Sequence, residues 1–118
     1  MLATLHSTPS HTTPAAEMRR YPGSAIAVWH TTTAPDTAGP VHRIDREQVL
    51  VVVEGTLSVT VDDTTVNAQP GDAVVLPAGA VRQLRNDGPV PVVTITSAIP
   101  GSQATVGDGD AITVPWSA

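Results

Sequence analysis

The stretch Glu47-Gln48-Val49-Leu50-Val51-Val52-Val53-Glu54-Gly55, followed by Thr56-Leu57-Ser58-Val59-Thr60-Val61-Asp62-Asp63, decides the fold. Its first part is an apolar run too short for a helix and too rich in β-branched residues for one, which predicts a strand buried on both faces. Its second part alternates strictly, Leu57, Val59 and Val61 against Ser58 and Thr60, and ends in an Asp-Asp turn, so a hairpin returns through Thr64 to Ala68. Working outward, Pro70-Gly71-Asp72 and Pro77-Ala78-Gly79 punctuate short strands at Ala73 to Leu76 and Val81 to Asn86. Earlier, Ala25 to Thr31 reads as a first strand. Later, Val90 to Ala98, Gln103 to Val106 and Ile112 to Trp116 complete the set. Short strands with frequent turn signals and no convincing helix predict an all-β antiparallel sandwich or barrel.

Composition is consistent with one small domain. The chain has 118 residues, 41% hydrophobic and 14% charged, which suffices for a single core and excludes a wholly disordered chain. Residues 1–16, MLATLHSTPSHTTPAA, lack apolar periodicity and read as a flexible arm holding the solvated His6 and His11, with residues 17–118 as the domain. The absence of cysteine removes disulfides, thiolate ligands and cysteine nucleophiles. A net charge of -5, with 6 arginines, no lysine and no basic stripe, argues against nucleic acid. No apolar run reaches the roughly 18 to 20 residues of a membrane span, and no charged-then-apolar leader opens the chain, so a cytoplasmic location is expected. Nucleotide-binding and nucleophile-elbow patterns are missing.

Two segments say more than the strand pattern. The first is Gly39-Pro40-Val41-His42-Arg43-Ile44-Asp45-Arg46-Glu47-Gln48, with Gly55 after six further residues; the second runs Gly71, Pro77-Ala78-Gly79, Arg82, Asn86. This frame resembles the paired motifs of the cupin family, and the hairpin lies between them as that family requires. The resemblance covers roughly residues 24 to 98. It implies a cupin-type antiparallel β jelly-roll barrel with a site in its interior, at His42, Ile44, Gln48 and Arg82. Period two would put positions 42, 44 and 48 on one strand face, with position 82 approaching from the second segment.

In metal-binding members of the family, two histidines and a glutamate of the first motif and a histidine of the second hold a divalent metal. Mapped here, His42 is retained, whereas Ile44, Gln48 and Arg82 replace the other three ligands. Ile offers no lone pair, Gln is a weak neutral donor, and Arg repels a divalent ion, so neither metal nor other cofactor is expected. Glu47 is out of phase unless a bulge turns it inward.

An inward Arg82 needs a counter-group: a ligand anion, an internal acid such as Glu47 or Asp45, or escape to the barrel mouth. His42 suits a general acid or base, or is simply hydrogen-bonded to a neighbour. Gln48 would orient a ligand or serve as a satisfied polar core group. The expected lining is Trp29, His30, Ile44, Leu50, Leu84 and Asn86, although alternation lets only one of Trp29 and His30 face inward. Tyr21 and Trp116 flank the barrel, where packing or capping its mouth would suit them.

The resemblance extends to polyketide cyclases and other tailoring proteins. It implies a metal-independent isomerisation, cyclisation or elimination on a small carbonyl or carboxylate compound, with Arg82 stabilising an oxyanion and His42 moving the proton. The alternatives are a non-catalytic ligand-binding module and a metal-dependent oxygenase using His42, Gln48, and Glu47 or His30. The doubly apolar strand at Val49 to Val53 further predicts a homodimer with exchanged N-terminal segments.

Overall fold

The computed structural model describes residues 10–23 and 25–118. In chain order its strands are β1 (Ser10–Thr12), β2 (Ala16–Arg20), β3 (Ala27–Thr33), β4 (Thr37–Ala38), β5 (His42–Ile44), β6 (Gln48–Glu54) and β7 (Leu57–Val61). They continue as β8 (Thr64–Ala68), β9 (Ala73–Leu76), β10 (Val81–Asn86), β11 (Val92–Ala98), β12 (Gln103–Thr105) and β13 (Ile112–Thr113), followed by a 3-10 turn at Pro115–Ser117. One antiparallel sheet runs β1-β2-β3-β11-β6-β9 and the other β13-β12-β5-β10-β7-β8, with β4 paired to β10. Together they form the jelly-roll barrel expected from the sequence.

Alternation builds the interior. On β6, Gln48, Leu50 and Val52 point inward and are buried. Leu50, Val52, Leu57, Val59, Ala68, Leu76 and Val92 form one apolar cluster, and Met18, Ala27, Trp29 and Ala98 form another. Between them, the β3–β11 ladder carries Thr31 opposite Thr94 and Trp29 opposite Thr96.

The strand around Val49 to Val53 is not buried on both faces in the single chain: Val51 and Val53 are 37% and 44% exposed. The Asp45-Arg46-Glu47 bend carries the chain from one sheet to the other. His42 and Ile44 therefore share a strand face without Gln48, which begins the facing sheet. Residues 1–9 of the expected arm lie outside the described residues, but Ser10–Thr12 pairs with Glu17, Met18 and Arg19 of its own chain. His11 is accordingly on a strand, its ring 6.4 Å from that of Trp116, and not freely solvated. The first predicted strand shifts to β3 because Thr33 gains partners on both sides, Ala16 and Val92.

Gly55 shows why the frame needs its glycine. Its φ is +79°, and a Cβ there would lie 2.9 Å from Val92 Cγ2 and 3.0 Å from the Pro91 carbonyl oxygen. Gly71, at φ +92°, has nothing within 4 Å of such an atom. Gly55→Ala is expected to destabilise by about 1–3 kcal/mol through strain and crowding together, and Gly71→Ala by less, as read from urea unfolding midpoints.

Candidate functional site

The site grows from the turn Pro77-Ala78-Gly79, which passes the chain from β9 in one sheet to β10 in the other. Gly79 takes a left-handed φ of 77°, and its N–H donates to the Ile44 carbonyl at 2.8 Å. Leu76, just before the turn, pairs with Gln48. Arg82, just after it, pairs with His42 on β5 and Val61 on β7. The turn thus draws His42, Ile44, Gln48 and Arg82, from three strands in two sheets, to one end of the barrel.

Arg82 is the largest side chain that is fully buried, at 1% exposure. Its Nη2 donates to the Pro77 carbonyl at 2.5 Å, while its buried Nε and Nη1 have no partner. The internal acids expected to neutralise it do not. Asp45 instead accepts from the Gln103 N–H at 2.8 Å, and Glu47 is exposed. Nor does the guanidinium escape to the mouth. Among the described residues the ion pairs are Arg19 with Glu17 and Arg85 with Asp87, at 3.0 and 3.3 Å. Burial lowers the Arg82 pKa, partly opposed by the charge of Asp62.

His42 is half-buried, and its Nδ1 lies 2.8 Å from the Pro40 carbonyl oxygen. A carbonyl can only accept, so Nδ1 carries the hydrogen and a neutral ring presents the Nε2 lone pair. Burial pushes the His42 pKa down; the Pro40 hydrogen bond opposes this and the Arg82 charge adds to it. The pair therefore combines a fixed cation with an imidazole kept neutral near pH 7.

The cupin domain family matches residues 29–98, more than half of the chain. The chain belongs to the cupin family. No curated protein matches it in sequence. Among solved structures, it is similar to a cupin 2 domain-containing protein from Halorhodospira halophila, with 20% identity, TM-score 0.74, and coverage of 81% of this chain and 72% of that one. A sugar phosphate isomerase of the cupin superfamily from Silicibacter pomeroyi gives 20% identity and TM-score 0.70 over 86% of this chain and 76% of that one. A polyketide cyclase from Streptomyces resistomycificus gives 16% and 0.72 over 84% and 80%. At these identities the likeness establishes the fold.

This cupin does not fit the metal that its family implies. Ile44 is apolar and 3% exposed, Gln48 is neutral, and the Arg82 cation is in register with His42. No cluster of three His, Cys, Asp or Glu occurs among the described residues. The bulge needed to rescue Glu47 is absent there; the irregularity of β6 falls opposite Val93 and Thr94, at the strand's far end.

The expected lining is only partly gathered. Trp29 faces inward but packs with Met18, Ala27 and Ala98. His30 is turned to the outer face, in register with the exposed Arg19 and with Ile95, which removes it from the barrel site. Leu50 is in the apolar cluster and Leu84 packs against it. Asn86 is structural: its Nδ2 donates to the Thr33 and Val90 carbonyls at 3.2 and 2.8 Å, and its Oδ1 accepts from the Gly88 N–H at 3.0 Å. Those bonds leave it little capacity for a ligand. Trp116 packs on the Trp29 cluster, and Tyr21 is exposed.

Two features escaped sequence reading. One is Arg20, whose Nη groups donate to the carbonyls of Tyr21, Gly23 and Ala118 while its Nε is buried without a partner. The period of two through Ala16, Met18 and Arg20 was the available signal. The other is a cavity of about 250 Å³ beside β5, bounded by Val41, His42, Arg43, Val81, Thr105, Gly107 and Asp108. It brings together residues 41 and 108, which nothing in the local sequence relates.

The depressed His42 pKa makes stability depend on pH. The unfolded chain protonates near the ordinary imidazole value of about 6.5 and the folded one only below it, so the contribution is complete above that value and declines as pH falls. Between about pH 7.5 and 5.5 the melting temperature is expected to fall in the parent and to fall less in His42→Gln, as followed by circular dichroism. Equal slopes would remove His42 as the source.

Proposed function

We propose that this cupin is a metal-independent enzyme that moves a proton on a small carbonyl or carboxylate compound, leading to isomerisation, cyclisation or elimination. One observation carries the proposal: a fully buried guanidinium with unpartnered Nε and Nη1, in strand register with a neutral imidazole. In this reading His42 Nε2 accepts a proton from the carbon next to the substrate carbonyl. The C–H electron pair moves into an enolate, and Arg82 holds its oxygen in a site from which water is excluded. The enolate then regains the proton at another carbon, attacks an internal carbonyl, or expels a leaving group. Gln48 orients the substrate, and Ile44 supplies an apolar wall. The fold shared with a polyketide cyclase and a sugar phosphate isomerase accords with such chemistry, and a tailoring step in small-molecule biosynthesis would use it.

Hydrogen exchange tests this without prior choice among the three outcomes. Purified protein, treated with chelator, is incubated in D2O with a panel of small ketones, keto acids and β-dicarbonyl compounds, and loss of α-proton signals is followed by NMR. Enzyme-dependent exchange is expected on at least one compound, reduced about 10²- to 10³-fold in Arg82→Gln and about 10²- to 10⁴-fold in His42→Gln. Saturable binding with no exchange would favour a non-catalytic binding module. Exchange restored only by added metal would favour the oxygenase-type ligand set.

We also propose a homodimer. Val49 pairs with Val75 and Val51 with Ala73 and Ile95, giving an apolar patch on the outer face of the sheet that ends at Ser97 and His30. Such a patch suits an interface with a second copy. Sedimentation velocity is expected to show a dimer that Val51→Asp dissociates, whereas a monomer at all concentrations would refute the assignment.

A further inference from the structure

Arg82 differs in kind from the other arginines. Arg19 and Arg85 pair with acids, Arg20 is held by three backbone carbonyls, and Arg43 and Arg46 are exposed. Arg82 alone among the described residues is a fully buried cation without a counter-charge. Folding does not bury such a charge without cost unless something neutralises it.

Hydrogen-bond geometry narrows what that something is. A guanidinium offers two edges with parallel donors, Nε with Nη2 and Nη1 with Nη2. The Pro77 carbonyl occupies one Nη2 hydrogen, so one complete edge remains, and it includes a buried, unpartnered nitrogen. A fork of two parallel N–H groups matches the two oxygens of a carboxylate.

Charge narrows it further. The neighbouring Arg43 and Arg85 lie at the alternate register positions and point outward, and burial disfavours a second positive charge on His42. The helical element among the described residues is a three-residue 3-10 turn, so no helix dipole adds positive potential. Asp62 already contributes negative potential near Arg82. A single negative charge balances the Arg82 guanidinium itself; a phosphate dianion would leave one in excess and add to the potential of Asp62. Ile44 and Leu84 on the same inner face suit an apolar body beyond the charged end.

We infer that the buried Arg82 guanidinium of this chain binds a small monocarboxylate, clamped in two-point fashion on its free edge. The inference rests on the proposed function and names its substrate class. Arg82 and His42 are register partners on neighbouring antiparallel strands, whose Cα atoms lie about 4.5–5.5 Å apart, so both project from the same face of the sheet.

The test uses the full chain and four probe classes at matched ionic strength: formate, acetate and benzoate; benzamide; inorganic phosphate; and chloride. Thermal unfolding and titration calorimetry read the outcome. At least one carboxylate is expected to bind saturably and raise the melting temperature by roughly 3 °C or more, with benzamide, phosphate and chloride without comparable effect. Arg82→Met is expected to melt higher than the parent without ligand and to lose the carboxylate response. Arg82→Lys, which keeps the charge and loses the fork, is expected to bind about 10-fold more weakly.

An equal response to phosphate or chloride, an equal response to benzamide, or no response to any carboxylate would overturn the inference, and the parent protein alone supplies these outcomes. Failures of the two proposals are separable. Arg82-dependent exchange on a neutral ketone without carboxylate binding would leave the enzyme reading and end this one; carboxylate binding without exchange would do the reverse.

Discussion

The hydrogen bond from Arg82 to the Pro77 carbonyl is the constraint on which the site depends. It ties the first inward residue of β10 back to the turn that delivers it, and so fixes a cation inside the barrel. The same turn is anchored to β5 through Gly79 and the Ile44 carbonyl. Two hydrogen bonds thereby fasten the turn between the sheets to β10 and β5 at one end of the barrel. At the positions where metal-binding members of this family carry ligands, this chain has Ile44, Gln48 and the buried cation of Arg82.

Burial also shapes its neighbour. A histidine partly withdrawn from water resists protonation, the Arg82 charge adding a smaller push in the same direction, and the Pro40 carbonyl selects which nitrogen keeps its hydrogen. The consequence is an orientation as well as a protonation state: Nδ1 is committed to the backbone and Nε2 is left as an acceptor. Function and stability pull apart here. The unpaired donors of Arg82 carry a burial cost in the fold, and they are the feature on which the proposed anion binding rests.

Much of the architecture was legible in sequence because period two and turn chemistry are local. The hairpin Leu57–Val61 to Thr64–Ala68 falls where alternation and the Asp-Asp turn put it, and Asp62 takes the left-handed φ of 50° that the turn needs. Val81–Asn86 begins and ends as expected because Gly79 and the Asn86-Asp87-Gly88 break bound it. Ser10–Thr12 and Ala16–Arg20 were not legible as strands. Their content is polar and weakly alternating, and they are strands because the edge of β3 was available to pair. Period two puts positions 42, 44 and 48 on one strand face only if the strand is unbroken; the Asp45-Arg46-Glu47 bend separates them because β5 and β6 belong to different sheets.

By itself, then, the sequence determined the class of fold, the turns, and the replacement of three metal-ligand positions by Ile44, Gln48 and Arg82. These follow from residue type and spacing, which act over a few neighbours. Tertiary structure decided what those replacements mean. Only the pairing of β10 with β5 puts Arg82 beside His42, only the packing of two sheets denies Arg82 an acid or water, and only strand parity turns His30 outward. Asn86 looks the same in sequence whether it binds a ligand or holds a loop; in the structure its side chain bonds three backbone groups, of Thr33, Gly88 and Val90. Burial and counter-charge are properties of what surrounds a residue, and the surroundings here come from strands dozens of positions away.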